Sequence, residues 1–492
     1  MKILVATGHL AERVVRSSAG TNADVIVADT KIAAFITPRK LLDAIEKQIS
    51  RFDYDILFIP GLCSGDFSKA AARLGCKIRL GPKHAYDLGY VLPFASRMEF
   101  STKVPACELL IDVRREMALG KARELEEKSV PALMLGSMKL GGRSRMKVMA
   151  EVVDATGMES DALAERIRSF VAKGADIIDL GASLHATPVD VERAIRVARS
   201  ATSVPLSIDT LDPELLVQAL ETGVDMLLSL DGSNIDILGR HVAAAGVPAV
   251  VIPDPGEGLE SLVRNIDAAR LAGVEKIIAD PVLDPIGHGI TGSIVRYGQF
   301  HDLYPDIPVF FGAGNVTELL DADSAGVNAM LCGIGADVGA SILFTPEFSN
   351  KARGSISELS KASIMMLLAH ERDSSPKDLG IDLLGIKEKR RRTDAILPDV
   401  FVEARSSRMW KTDPAGSIRI GIVPDRDGHG GLILAEHDTV SIAGKTAGAV
   451  MDTLIERGLV SRLEHAGYLG RELKKAEIAL KFDRSYSQDD DF

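Results

Sequence analysis

Along the first 145 residues the apolar positions come in short β-branched runs, KILVATG, ADVIVAD, YDILFIPG and CKIRLGP, each closed by Gly, Asp or Pro. Helical patterns separate them, and strands alternating with helices predict a small open α/β sheet with parallel strands. Its loops Thr7-Gly8-His9 and Gly61 to Asp66 fall beyond the carboxyl ends of strands, where such sheets bind ligands. Neither loop is a phosphate fingerprint. From Met146 the alternation becomes more regular: KVMAEVVDA, ADIIDLGAS, VPLSIDT, VDMLLSLDG, VPAVVIPDP, EKIIADPVLDP, IPVFFGAGN and ASILFT are separated by amphipathic stretches such as ALAERIRSFVAKG and PELLVQALETG. Eight such units predict a (β/α)8 TIM barrel over residues 146–373. The connection around NAMLCGIGADVG is the least regular, with room for an extra helix or short strand. Residues 374–492 start with a charged linker. SIRIGIVPD and GGLILAEHD then read as a hairpin, and TAGAVMDTLIERG and RELKKAEIALKF as helices, predicting a small C-terminal α+β domain.

Composition adds little to this picture. With 46% hydrophobic and 26% charged residues, the 492-residue chain has the make-up of a globular protein. Its net charge of −11 creates no global field for nucleic acid, and the one basic run, Lys387 to Arg392, reads as a solvated linker or helix face. The four scattered cysteines show no metal or redox spacing and suit a reducing, cytoplasmic setting. No run of apolar residues is long enough to span a bilayer.

The polar residues at the strand ends change the picture more, because a TIM barrel builds its site there. In order they are Asp154, Asp179 or Ser183, Asp209-Thr210, Ser229 and Asp231, Asp254, Asp280 with Asp284, Gly312 to Asn315, and Thr345. An Asp in such a place often caps the helix that follows, and that reading stands open for Asp154, Asp231 and Asp254. Asp209 and Asp280 sit within the last turn of their strands instead. For the helix after Asp209 the better cap is Asp212, followed by Pro213 at the first helical position. A carboxylate left in a semi-apolar barrel mouth needs donors, and the guanidine-like edge of a bound ring offers two parallel N–H groups.

ADIIDLGAS, SIDT and IIADPVLDPIGHG, in this order and spacing, resemble motifs of strands two, three and six of the dihydropteroate synthase family and the wider pterin-binding barrels. The resemblance runs from about Val148 to Glu371. It implies that Asp209 and Asp280 hold the pterin ring, that Asp154 helps hold Mg²⁺ and diphosphate, and that Ser229 replaces part of the strand-four asparagine's contacts. The family's Ser-Arg-Lys after strand seven is here Gly314-Asn315-Val316, and its strand-eight Arg-x-His falls at Phe344-Thr345-Pro346. These departures lie on the diphosphate and aminobenzoate side, where Asn315, Lys351 and Arg353 are the candidates for substitute anion contacts, Lys351 and Arg353 reading equally as ordinary surface residues. HAGYLGRELKKAEIALKF and the tail after it resemble the C-terminal segment of archaeal and methylotroph proteins associated with methanopterin.

The expected function is therefore a transferase of tetrahydromethanopterin biosynthesis and one-carbon metabolism, joining a hydroxymethyl-dihydropterin diphosphate to a ribofuranosyl-aminobenzene phosphate with Mg²⁺. Its partners would be a pterin and an arylamine, with no nucleic acid, no membrane and no tightly bound organic cofactor, and the resemblance allows a homodimer. No residue is singled out as catalytic. The alternatives are a pterin-dependent methyltransferase, which needs no diphosphate site, and a non-catalytic pterin-binding protein.

Overall fold

The fold is that of a computed structural model, which describes residues 1–377, 379–387, 399–405, 411–425 and 430–490. Most of the basic run, from Glu388 onward, lies outside the described residues. Residues 1–388 form one compact unit and 389–492 a second.

The first unit opens with four parallel strands, β1 (Ile3–Thr7), β2 (Asp24–Val27), β3 (Ile56–Ile59) and β4 (Lys77–Leu80), in the order β2-β1-β3-β4. Both faces are apolar because both are covered. Leu4, Leu57 and Ile59 pack with Leu41 and Ile45 on one side, and Val5 and Phe58 with Val15, Leu88 and Leu110 on the other. The helix Ala106–Lys128 carries Leu110 into that second layer, and its Ala118 and Ala122 reach Met365 and Leu368 of the helix Ser355–Glu371. A hairpin, β5 (Leu133–Leu135) and β6 (Met138–Leu140), follows. Leu135 and Leu140 plug the inside of the barrel against Met149, Ile177 and Met226.

The barrel closes as anticipated from eight parallel strands in sequential order: β7 (Lys147–Val152), β8 (Ile177–Gly181), β9 (Leu206–Asp209), β10 (Met226–Leu230), β11 (Ala249–Val251), β12 (Ile277–Ala279), β13 (Val309–Phe311) and β14 (Ala340–Thr345). Each of the eight apolar runs supplies one strand. The irregular connection is helical, a short turn Gly314–Thr317 followed by Ser324–Asp337. Asp212 caps the helix Pro213–Thr222 by accepting the Glu214 N–H at 2.9 Å.

Strand alternation decides which side chains face inward. Met149, Ile177, Met226, Val250, Ile278, Phe310 and Ile342 form one inner layer, while Val148, Ile178, Leu206, Ile208 and Leu227 face the helices. Two residues further along each strand the inward positions are Glu151, Asp179, Asp209, Leu228, Ile252, Asp280, Gly312 and Phe344. This second layer lies toward the carboxyl ends, where TIM-barrel sites form.

The second unit holds the antiparallel sheet β15 (Ile418–Pro424), β16 (Gly431–His437) and β17 (Val440–Gly444), whose third strand the hairpin reading lacked. Ile420, Ile433 and Ile442 pack against Val450 and Leu454 of the helix Ala447–Glu456 and Leu469 and Leu473 of Leu463–Lys481. Buried Asp413 ties the unit together: it accepts from the N–H groups of Ala415, Ser461 and Arg462, from the Ser461 hydroxyl, and pairs with His465 Nδ1 at 2.9 Å. No helix among the described residues is long and apolar enough to cross a membrane.

Candidate functional site

The inward layer at the barrel mouth is acidic on one side and apolar on the other. Glu151 on β7, Asp179 on β8 and Asp209 on β9 are neighbours by register, Glu151 beside Asp179 and Gly181 beside Asp209. One carboxylate oxygen of each lies within 4.8 Å of those of the other two. Gly181 makes room for this, since a Cβ there would meet Glu151 Oε1 at 2.7 Å. Asp179 is fully buried. Ser207 Oγ donates to its Oδ1 at 2.5 Å, and its Oδ2 has no hydrogen-bond partner. Burial pushes the Glu151 carboxyl up to about 7, helped by the charges of Asp209, Asp154 and Glu318. Burial likewise raises Asp209 to about 6 and Asp179 well above the ordinary range, with Asp209 and Glu151 adding to the effect on Asp179.

Asp280 directly follows β12, three strands round the ring from β9 and so nearly across the mouth from Asp209. Tyr297 Oη donates to Asp280 Oδ1 at 2.6 Å and the Val282 N–H donates to the same oxygen at 2.8 Å. Burial raises this carboxyl to about 6 against the opposing pull of those two donors and Arg296. The loop beyond is held under strain. Val282 has φ 68°, a conformation that β-branched residues avoid, and Arg296 fixes it through the carbonyls of Pro281 and Val282, both at 2.6 Å. Observed strain of this kind gathers at ligand sites. Leu228, Ile252 and Phe344 complete the wall. A flat ring with apolar faces and a donor-rich edge matches such a mouth.

The other residues singled out from sequence are more dispersed. Ser229 is the last residue but one of β10, which pairs with Asp209's strand; it is buried, with its carbonyl taken by Asn234 Nδ2 at 3.0 Å. Asp154 lies beyond β7, exposed and left-handed at φ 53°, and makes no side-chain cap. Asp254 accepts from the Gly232 N–H, Asn265 and Ser261, and Asp231 from Ser233, so these two hold their loops. Asn315 Nδ2 donates to the Leu283 carbonyl at 3.0 Å. Lys351 is ion-paired to Asp321 at 2.6 Å, and Arg353 is exposed in the following turn. Glu151 was absent from the sequence-based set. Its signal was the alternation Lys147, Met149, Glu151, which places it inward.

Comparison with known proteins gives the site its context. Residues 151–288 match the model of the pterin binding enzyme family, and residues 412–489 match PterinBD-DUF4346. Over its full length the chain is 35% identical to the uncharacterized protein MJ0107 of Methanocaldococcus jannaschii, covering 99% of that protein. The chain belongs to the pterin-binding, dihydropteroate synthase-like family. A mitochondrial folate synthesis bifunctional protein of Arabidopsis thaliana is 28% identical over 111 residues, 20% of each chain. The dihydropteroate synthase of Yersinia pestis covers 49% of this chain and 99% of its own, at 17% identity and a TM-score of 0.39, and that of Thermus thermophilus covers 45% and 93%, at 23% and 0.37. The matched region of the pterin-binding barrel takes in Glu151, Asp154, Asp179, Asp209, Ser229 and Asp280, and stops short of Asn315, Lys351 and Arg353.

Proposed function

We propose that the barrel is a transferase that binds a pterin between Asp209 and Asp280 and couples the pterin's methylene carbon to an arylamine, displacing diphosphate. The observation that carries the reading is the pair of half-buried carboxylates on strands three and six, each inward-facing and raised by burial. Buried carboxylates short of donors are stabilised by a ligand edge that brings N–H groups. Tyr297 and Val282 occupy only Oδ1 of Asp280, so Oδ2 remains for the ring.

In this reaction the amine nitrogen forms a bond to the methylene carbon as the carbon–oxygen bond to diphosphate breaks, and the amine loses a proton. A Mg²⁺ at Asp154 would neutralise the departing diphosphate. Asp154 fits that task, being exposed at the end of its strand with its side chain not spent on capping. Asn315, Lys351 and Arg353 are the chain's own contributors near the seventh and eighth loops. A ribofuranosyl-aminobenzene phosphate as acceptor would place the enzyme in tetrahydromethanopterin biosynthesis in the cytoplasm, acting as a monomer or homodimer.

A second reading, methyl transfer from a reduced pterin, is favoured by the charge of the mouth. Glu151, Asp179, Asp209 and Glu318 gather there, while Lys351 is occupied by Asp321. Incubation of the full-length protein with hydroxymethyl-dihydropterin diphosphate, the arylamine and Mg²⁺ tests the first reading: coupled product with stoichiometric diphosphate is expected. Tight binding of a methylated pterin, with no product and no affinity for the diphosphate, would replace it with the second.

A further inference from the structure

We propose that Glu151, Asp179 and Asp209 together bind one hard divalent cation at the inner end of the barrel mouth. This site is distinct from the exposed Asp154, and it stands whether or not the pterin reading holds. Three observations converge on it. First, the geometry brings the ligands together: one oxygen of each of the three carboxylates lies within 4.8 Å of those of the other two, close enough for the three to converge on one oxygen-seeking ion with bonds of about 2.4 Å.

Second, Asp179 is oriented and incomplete. Ser207 holds Oδ1, as partners beyond the ligand shell commonly fix a ligating carboxylate, while Oδ2 is buried without a donor. A fully buried carboxylate oxygen left without a partner is costly. Third, among the described residues no positive side chain is ion-paired to the cluster. The charged neighbours of Glu151 are Asp209, Asp154 and Glu318. An all-oxygen, all-anionic set selects hard cations over the softer transition metals.

The cluster uses one oxygen of Asp209, which leaves the second for the ring. A cation here would lie beneath a bound pterin rather than beside its diphosphate.

The test uses metal-free full-length protein without pterin, titrated with Mn²⁺ alone and followed by loss of the free-ion electron paramagnetic resonance signal. Ca²⁺ and Mg²⁺ serve as competitors. One Mn²⁺ per chain is expected, bound at least tenfold more weakly by Glu151→Gln and by Asp179→Asn and displaced by the other two ions. If Asp179→Asn does not fold, Glu151→Gln decides, because Glu151 is only partly buried. No binding by the wild type up to millimolar Mn²⁺, or equal binding by a folded variant, overturns the proposal. Pterin binding is measured separately in the presence of chelator, so that failure of the cation site and failure of the pterin reading appear in different experiments.

Discussion

Replacing Asp280 with Asn should move ligand affinity and stability in opposite directions. The carboxyl is raised from its ordinary 3.8 to about 6, chiefly by burial. A shift of about two units corresponds to about 3 kcal/mol that the ionised form costs the folded protein at neutral pH. Asparagine keeps the shape and an oxygen for Tyr297 and Val282 but carries no charge, so up to about 3 kcal/mol is recovered, less whatever its buried NH₂ leaves unsatisfied. Since about 1 kcal/mol moves Tm by about 2–4 °C in a domain of roughly 150–250 residues and by less in a larger unit, the variant should melt up to a few degrees higher at pH 7.5. Binding goes the other way. The amide presents N–H groups to a ring edge that itself donates, and charge-assisted hydrogen bonds are worth about 1.5–3 kcal/mol each. A loss of about 3 kcal/mol weakens a pterin roughly a hundredfold. Differential scanning calorimetry and isothermal titration calorimetry with a reduced pterin measure the two effects. A variant that binds within a few-fold of wild type refutes the placing of Asp280 against the ring, and one that melts lower refutes the cost assigned to its buried charge.

Three further outcomes follow from the same structure. Because Asp280's folded value lies above its unfolded one, its contribution favours the fold below about pH 4 and is lost as pH rises to about 6. Pterin affinity should fall as pH drops below about 6, and titration of Asp280→Asn at several pH values should show that component missing. Gly181→Ala drives a Cβ into Glu151 Oε1 and within 3.3 Å of the Val152 carbonyl; overpacking of about 1–3 kcal/mol should lower Tm and weaken Mn²⁺ binding, checked by thermal melting and titration. Asp413→Asn removes the charge that four donors and His465 converge on, and should lower the melting temperature of the C-terminal unit. The hydrogen bonds hold Asp413 far below the usual carboxylate range, so that stability is present above about pH 4 and is lost at lower pH, as circular dichroism of wild type and variant across pH would show.

The fold was legible because each level agreed with the next. Eight apolar runs alternated with amphipathic helices, and the dipeptide Asp212-Pro213 marked a helix start so plainly that Asp209 was left needing another role. The site was half legible. Asp209 and Asp280 entered the candidate set from their places at the strand ends, Asp209 as the last residue of β9 and Asp280 one residue beyond β12 rather than within it, but Glu151 did not, because reading strand ends in linear order reaches Asp154 first. Asp154 lies past the end of β7 in a left-handed turn, whereas Glu151 shares the inward parity of Met149. The remaining gaps are long-range. Tyr297 comes seventeen residues after Asp280, and Lys351 is spent on an aspartate thirty residues earlier. Local pattern carries no trace of such pairings, and the plug hairpin Leu133–Leu140 was missed for the same reason: its partners are the inward residues of distant strands.

The acidity of the mouth links the cation to the choice of reaction. With Glu151, Asp179 and Asp209 ionised, a diphosphate approaching the ring site meets three negative charges that no Lys, Arg or His among the described residues neutralises by an ion pair. A divalent cation in the cluster cancels two of the three and so weakens the repulsion felt by an anion at the rim. The uncharged ring edge, held through hydrogen bonds, responds much less. Added Mn²⁺ should therefore raise affinity for the pterin diphosphate more steeply than for the pterin alone, and Glu151→Gln should flatten the difference. Coordination of the diphosphate by Mg²⁺ at Asp154 predicts the same first result but not the second, so a Glu151→Gln variant with the wild-type metal response would separate the cluster from the leaving group.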